Sequence, residues 1–426
     1  MPHPDNSAHS LLGQEQTCPR DADGQPRKFV SSRGAYVVDT DGQRWIDLDN
    51  GRGSVMLGHA DPEVAEAVAR AARGELGTVT GWSPLLDRVL QRGSALLGGD
   101  VLALFRTGTA ALRSVVHAVL AARAEELGVD RPLLLSAGYH GYDPMWQYPD
   151  QPFEVNEEGI LHFLFELDFL EQSLRDNKGR IAAIAVSPDR GALTPEWFAR
   201  LGELARAFEV PIIADEVKVG LRHAPELVMR SLDPDVWIVA KTIANGAPIA
   251  MAGGRAGLLD SLREVSFTSF FEPTVLAAAD VTLGRIAGGE PQRAIAENAG
   301  AFIESARAAL TAADVPIAIA GDPSLFHFVC ASPEVEDAFL AACAEQRILL
   351  FERDNQGVSE ALRGEALEDL RARFDAVSAA LAGRWSGQEI DELAWYRAAW
   401  RSIDGLATRQ REPGQGRELV AQLWDE

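Results

Sequence analysis

Cysteine is scarce: the 426 residues contain three, Cys18, Cys330 and Cys343. Their wide spacing makes no Cys-x-x-Cys or zinc-ligand pattern, and an odd number argues against a disulfide framework. Reduced thiols and no metal site are expected. Long apolar runs are missing as well. No stretch reaches the roughly 18 uninterrupted apolar residues of a membrane span. The first residues, MPHPDNSAHSLLGQEQT, lack a basic start followed by an apolar core, so no secretory leader is expected. Positive charge is in deficit, 40 Lys and Arg against 63 Asp and Glu, for a net charge of -23. That sign repels phosphate backbones and excludes electrostatically driven nucleic-acid binding. There is no internal repeat and no low-complexity tract. What is present is globular: 46% hydrophobic and 24% charged residues, in a length sufficient for two or three core-forming units. A cytoplasmic protein that acts on a small molecule is the expectation.

Residues 1–28 are polar, with scattered Pro, Gly and Asp, and read as an extended arm. GAYVVDTDGQRWIDL, residues 34–48, alternates about Asp41-Gly42, the signal of a β-hairpin. Asp61-Pro62-Glu63 then opens a helix, with Asp as N-cap, Pro in the first turn and an acid at the positive end of the dipole. From about residue 100, short apolar runs alternate with amphipathic helices. The runs are PLLLSA (132–137), IAAIAVSP (181–188), PIIADEV (211–217), VWIVAK (236–241) and PIAMAGG (248–254). They are apolar throughout, as strands covered on both faces are. TPEWFARLGELARAF, residues 194–208, is a helix with a Thr cap and Pro in its first turn. The alternation predicts an α/β fold with a large, mainly parallel sheet. Ligands bind such sheets beyond the carboxyl ends of their strands.

Helical segments follow over about 274–311. A smaller α+β unit comes next, in which SLFHFVCAS and ILLFERD read as strands and EALEDLRARFDAVSAAL as the last long helix. The expected division is therefore an arm and hairpin over 1–55 that belongs with the small domain, a large domain over 56–285, a small domain over 286–385 and a helical extension over 386–426.

Several chemically useful residues stand at carboxyl ends of these strands. Asp215-Glu216 ends PIIADEV, Lys241 ends VWIVAK, and Tyr139-His140-Gly141 follows PLLLSA. The turn Thr107-Gly108-Thr109 follows VLALF and opens a long helix. Each has an ordinary reading: a snorkelling lysine, a helix cap, a simple turn, a packed aromatic. Together they have another. A desolvated lysine is a nucleophile able to form an imine. A carboxylate keeps a pyridine nitrogen protonated, so that the ring accepts electrons. A helix N-terminus binds a phosphate, and an aromatic side chain stacks on a ring. Aldehyde capture, ring protonation, phosphate clamping and stacking are the needs of pyridoxal 5'-phosphate (PLP).

The chain resembles the class III aminotransferase family, of PLP fold type I, and within it the glutamate-1-semialdehyde aminomutase branch. The resemblance runs over about residues 29–380, through RGAYVVDTDGQRWIDL, LGHADPEVAEAV, FRTGTAAL, YHG, PIIADEVKVGLR, AKTIANGAPIAMAGG, SFTSFFEP and LLFERDNQGVS in order. It implies that Lys241 is the Schiff-base lysine and Asp215 the partner of the pyridine nitrogen. It implies Val217 beneath the ring, Tyr139 above it, and Thr107, Gly108 and Thr109 at the phosphate. Thr268 corresponds to a phosphate-binding threonine donated by a neighbouring subunit, so a homodimer is implied. His140 and Arg222 lie in family motifs, with structural and chemical roles both open. The departures fall on the substrate side. Ser187-Pro188-Asp189 replaces Glu-Pro-Val, Arg106-Thr107-Gly108-Thr109-Ala110-Ala111 replaces Asn-Ser-Gly-Thr-Glu-Ala, and Phe270-Phe271-Glu272-Pro273 replaces Ser-Gly-Asn-Pro. Lys218 replaces a neutral residue, and Arg52 stands where an aromatic is common.

The resemblance implies transamination between an amine and a small carbonyl compound, and the departures on the substrate side suggest a sugar, a cyclitol or an unusual keto acid as that compound. An aminomutase or epimerase on the same anchors is the alternative. A PLP-fold protein that binds its ligand without catalysis is a third reading, raised by the missing glutamate. Arg20, Lys28, Arg52 and Lys218 are the candidate substrate contacts, since each can hold an anion or a hydroxyl.

Overall fold

The computed structural model describes residues 26–141, 143–146, 154–188, 193–266, 272–351, 354–392 and 395. The hairpin expected about Asp41-Gly42 is present as β2 (Tyr36–Asp39) and β3 (Arg44–Asp47), paired antiparallel. Gly42 takes φ 76° in the turn, a conformation that favours glycine. Asp39 fastens the turn by accepting from the backbone of Asp41 and Gln43 and from Trp45 Nε1 at 2.8–3.0 Å. A further strand, β1 (Phe29–Arg33), pairs with β2. Alternation did not reveal it, because FVSSR is largely exposed and carries a register shift.

The apolar runs make one seven-stranded sheet in the order β4-β10-β9-β8-β7-β5-β6. Its strands are β4 (Val101–Phe105), β5 (Leu133–Ala137), β6 (Ile160–His162), β7 (Ile181–Val186), β8 (Ile212–Asp215), β9 (Val236–Val239) and β10 (Ala250–Gly254). Strands β6, β5, β7, β8 and β9 are mutually parallel, while β10 is antiparallel to both β9 and β4. Two reversals return β4 to the common direction, so Phe105, Ala137, Val186, Asp215 and Val239 all end at one edge.

Successive side chains of a strand face opposite sides. Ile212 and Ala214 of β8 accordingly join one core cluster and Ile213 the other. The second cluster is packed by the helix Gly108–Leu127 through Leu112, Val115, Val116 and Val119. The first takes Pro62–Ala72, Pro84–Leu97, Pro195–Phe208 and Pro273–Gly288. The expected caps are in place: Asp61 accepts from the backbone of Glu63 and Val64, and Thr194 from that of Trp197. Among the described residues no helix is long and apolar enough to cross a membrane.

The helical stretch expected over 274–311 is two helices, Pro273–Gly288 and Glu290–Ala312, parted by Gly289 at φ 74°. Beyond them, β11 (Ile317–Asp322), β12 (Leu325–Cys330) and β14 (Gln356–Gly357) form an antiparallel sheet. Of the described residues of ILLFERD, Ile348 and Leu349 are strand; this β13 pairs in parallel with β3. Segments some 300 residues apart in the chain thus share a sheet. Cys330 and Cys343 are free and buried, and burial pushes both thiols well above the ordinary range. Cys18 lies outside the described residues, as does most of the helical extension expected over 386–426.

Candidate active site

The strand ends at the common edge bring the sequence-selected residues together. Lys241 follows β9 at φ 47°, a left-handed conformation that costs a non-glycine residue about 1 kcal/mol. Its segment is pinned on both sides. Thr242 Oγ1 donates to the carbonyl of Gly220 at 3.1 Å, and Asn245 joins the backbone of Leu57 and Gly58 at 2.9 Å. Among the described residues the Lys241 amine has no hydrogen bond or ion pair. Burial, then the nearby charge of Lys218, lowers its pKa to about 8, against the pull of Asp354, Asp215 and Asp49.

Asp215 ends β8 and is 2% exposed. His140 Nδ1 donates to Asp215 Oδ2 at 2.8 Å, and the backbone N–H of Val217 donates to Oδ1 at 3.2 Å. The His140 ring is stacked on Trp146 at 4.3 Å between centroids. His140 thus stands directly behind Asp215, in contact with its carboxylate. The adjacent Glu216 is buried too, but its carboxylate accepts the backbone N–H groups of Val228 and Met229 at 2.7 Å. It shapes the loop after β8.

The Thr107-Gly108-Thr109 turn closes the same space. Thr107 caps its helix by accepting from the backbone of Ala110 at 3.1 Å. The first backbone N–H groups of a helix have no acceptor within it, so those of Gly108 and Thr109 point off its end. A Cβ on Gly108 would stand 2.9 Å from Val217 Cγ1 and 3.5 Å from the Cβ of Ala240, the residue before Lys241. A Cβ on Gly141 would stand 2.9 Å from Thr109 Oγ1. Glycine at both positions lets the turn, Val217, the lysine segment and the Tyr139-His140-Gly141 loop meet. Tyr139 is half-buried in that loop, and Ser187 borders it: a Cβ on Gly138 would stand 2.3 Å from the carbonyl oxygen of Ser187.

A ring of charge borders Lys241. Lys218 is ion-paired with Asp354 from the segment before β14. Burial pushes the Asp354 carboxyl up, and the charge and hydrogen bond of Lys218 outweigh it, so its pKa falls below the ordinary carboxylate range. Asp49 is half-buried and accepts the backbone N–H of Arg52 at 3.0 Å. Its pKa rises to about 6 through burial and the neighbouring Asp47. Residues 50–53 all have positive φ, and Arg52 lies 5.5 Å over the ring of Phe351. Arg52 and Lys218 are thus in the charged surroundings of Lys241. Lys28 is exposed, and its carbonyl accepts from Thr40 at 3.1 Å at the hairpin turn; no described contact ties it to the site. Arg20 and Thr268 lie outside the described residues. Arg222 proves structural: it is fully buried and binds the carbonyls of Gly53, Ser324 and Val358 at 2.7–3.4 Å. Sequence reasoning missed Asp49, Trp146 and Asp354. The LLFERDNQGVS motif pointed at the region of Asp354; Trp146 had no local signal.

The model of the family described as aminotransferase class-III matches residues 18–145. A 2'-deamino-2'-hydroxyneamine transaminase of Streptomyces kanamyceticus is 30% identical over 265 residues, 60% of this chain and 66% of that protein. The chain thus spans just under two-thirds of that relative. A glutamate-1-semialdehyde 2,1-aminomutase of Propionibacterium freudenreichii subsp. freudenreichii is 28% identical over 91% of this chain and 93% of its own length. A solved structure described as a transaminase with PLP bound superposes with a TM-score of 0.73 at 22% identity, over 85% of this chain and 93% of that one. That likeness shows the fold, which is fold type I of the PLP-dependent transferases.

Proposed function

We propose, for a chain that is related to the class III aminotransferases, that it is a PLP-dependent aminotransferase moving an amino group between a small amine and a small carbonyl compound. The observation that carries this is the meeting, at one sheet edge, of a lysine of lowered pKa without an ion pair among the described residues, a buried carboxylate held by a histidine, and a glycine-lined helix N-terminus. The residues fit the cofactor. Gly108 and Thr109 offer backbone donors to a phosphate, with the Thr107 and Thr109 hydroxyls beside them. Asp215 offers a carboxylate to a ring N–H, and Val217 supplies the apolar floor. When bound, PLP supplies an aldehyde for the lysine amine and a ring that withdraws electrons from the carbon losing its proton.

The protein's own groups then divide the work. A pKa of about 8 leaves Lys241 Nζ partly unprotonated near neutral pH, so it is both a nucleophile and a base that moves the substrate proton. His140 holds Asp215 in one orientation, so its charge stays aimed at the ring nitrogen. Ser187 stands where the family carries glutamate, so a hydroxyl replaces a carboxylate at that position beside the Tyr139 loop. Lys241→Ala is expected to lower turnover at least about a hundredfold, while Asp215 and the phosphate turn still bind cofactor. Turnover retained in that variant overturns the reading.

The relative named a 2'-deamino-2'-hydroxyneamine transaminase supports a hydroxylated, sugar- or cyclitol-like acceptor over an unusual keto acid. The near-full-length aminomutase relative supports a second outcome on the same anchors, rearrangement of one substrate. Incubation with a single amine separates them, since rearranged or racemised product without a co-substrate excludes simple transamination. We also propose a homodimer with Thr268 reaching the partner's phosphate site, on the resemblance of SFTSFFEP; sedimentation of the full chain tests it. The unpaired buried thiols of Cys330 and Cys343 support a reducing, cytoplasmic setting.

A further inference from the structure

Three separate parts of the chain deliver charge to the neighbourhood of Lys241. The loop after β8 brings Lys218, the segment before β14 brings Asp354, and the loop after β3 brings Asp49 with Arg52. The station of Lys218 is fixed by its surroundings. On one side Val217 packs against Gly108 beside Ala240. On the other, Thr242 Oγ1 reaches Gly220. Residues 217–220 therefore run alongside 240–242, with Lys218 and Lys241 within them. The tip of Lys218 does not extend into solvent: it is ion-paired with Asp354, whose Oδ1 also accepts the backbone N–H of Asn355 at 2.7 Å. That second bond holds the carboxylate independently of the lysine.

We propose that Lys218 is a positioning residue that acts on Lys241 through its charge, tethered by Asp354, so that the pair sets how readily the Lys241 amine gives up and takes up its proton. The proposal rests on Lys241 as the proton-moving residue. A positive charge beside an amine disfavours its protonated form, and a carboxylate favours it. Among the described residues the charges that act on Lys241 are Lys218, Asp354, Asp215 and Asp49, with Arg52 behind Asp49 and His140 behind Asp215. The direction of the Lys241 shift agrees, since Lys218 is its largest cause after burial. In this arrangement Asp354 has two effects: it attracts the Lys241 proton directly, and it neutralises part of the Lys218 charge. Removing the two partners should therefore move Lys241 in opposite directions.

The test reads the ionisation of Lys241 in the full-length protein, freed of cofactor by dialysis against an amine, from the pH dependence of its acetylation by acetic anhydride, with the Lys241 peptide quantified by mass spectrometry. Lys218→Met is expected to raise the midpoint and Asp354→Asn to lower it, each by about half a unit or more. Lys218→Arg keeps the charge and is expected to stay near the parent. In cofactor-loaded protein, the pH at which visible absorption changes should follow the same order. Local unfolding hydrates Lys241 in every variant and moves all midpoints upward. Shifts of one sign in both variants, no shift in either, or a Lys218→Arg value matching Lys218→Met overturn the proposal. The readout does not require turnover, so its failure is distinct from that of the transaminase reading, which Lys241→Ala decides.

Discussion

Asp49 is the least comfortable carboxyl near the site. It is half-buried beside Asp47, and its pKa of about 6 stands above the ordinary 3.8. The folded chain therefore keeps a proton there that the unfolded chain has released between those values. The stability this contributes is fully present below about pH 3.8 and lost once the pH has risen past about 6. At pH 7.5 the folded protein holds a charged carboxylate against burial and a like charge. Asp49→Asn removes that charge and keeps an oxygen to accept from Arg52. It is expected to raise the unfolding free energy at pH 7.5 by of order 1 kcal/mol after allowance for remaining exposure. The gain should shrink steadily as the pH is lowered toward 4.5, as thermal scans across that range would show; a gain unchanged by pH would sink this account. Neither Asp49 nor Asp354 was legible beforehand, because their significance lies in three loops that meet only in the fold. The placement of Lys241 and Asp215 was legible because each closes an apolar run that reads as a buried strand, and the structure sets both at one sheet edge.

The start of the helix Gly108–Leu127 is where an element is most tightly specified. Thr107 caps it, and Gly108 lies against the stiff, β-branched Val217. In Gly108→Ala the new methyl meets Val217 Cγ1 at 2.9 Å and Cγ2 at 3.0 Å. Neither the strand end beneath Val217 nor the helix can retreat freely. The substitution is expected to cost about 1–3 kcal/mol of stability and to weaken PLP binding by more than tenfold, through displacement of the donors on Gly108 and Thr109. Cofactor titration followed by fluorescence, beside a thermal scan, separates the two effects. Affinity equal to the parent's would remove this turn from the cofactor site. At this scale the buried strands were easy to read, because continuous apolar runs between capped helices have few other uses. The antiparallel direction of β10 was not readable, since AMAGG looks the same either way. Among the described residues strand β13 has two residues, and its partner β3 lies some 300 residues away in the chain, which no local pattern could reveal.

For the whole molecule, Arg222 decides how the outer segments seat on the large sheet. It leaves the loop after β8 and binds Gly53, Ser324 and Val358, one carbonyl from each of three distant segments. Gly53 ends the left-handed run that bears Arg52, and Val358 follows β14, close to Asp354. The sequence placed Arg222 in a family motif and left its role open, because its partners are backbone groups with no side-chain signature. Burial lowers its pKa to about 10, so it keeps its charge at neutral pH. Arg222→Met would leave three buried carbonyls without a donor, at about 1 kcal/mol or more each. A loss of about 3 kcal/mol corresponds to a fall of roughly 3 °C in Tm for a chain of this size. Arg222→Lys fills much of the volume and keeps the charge, but a single ammonium cannot reproduce the planar fork. It is expected to recover only part of that stability. If the residue serves the site by seating these segments, both variants should also lose acceptor affinity more than cofactor affinity, because Arg52 and Asp354 ride on the released segments while Thr107, Gly108 and Asp215 do not. Full recovery by lysine would show that the charge alone, and not the geometry of the fork, holds the segments together.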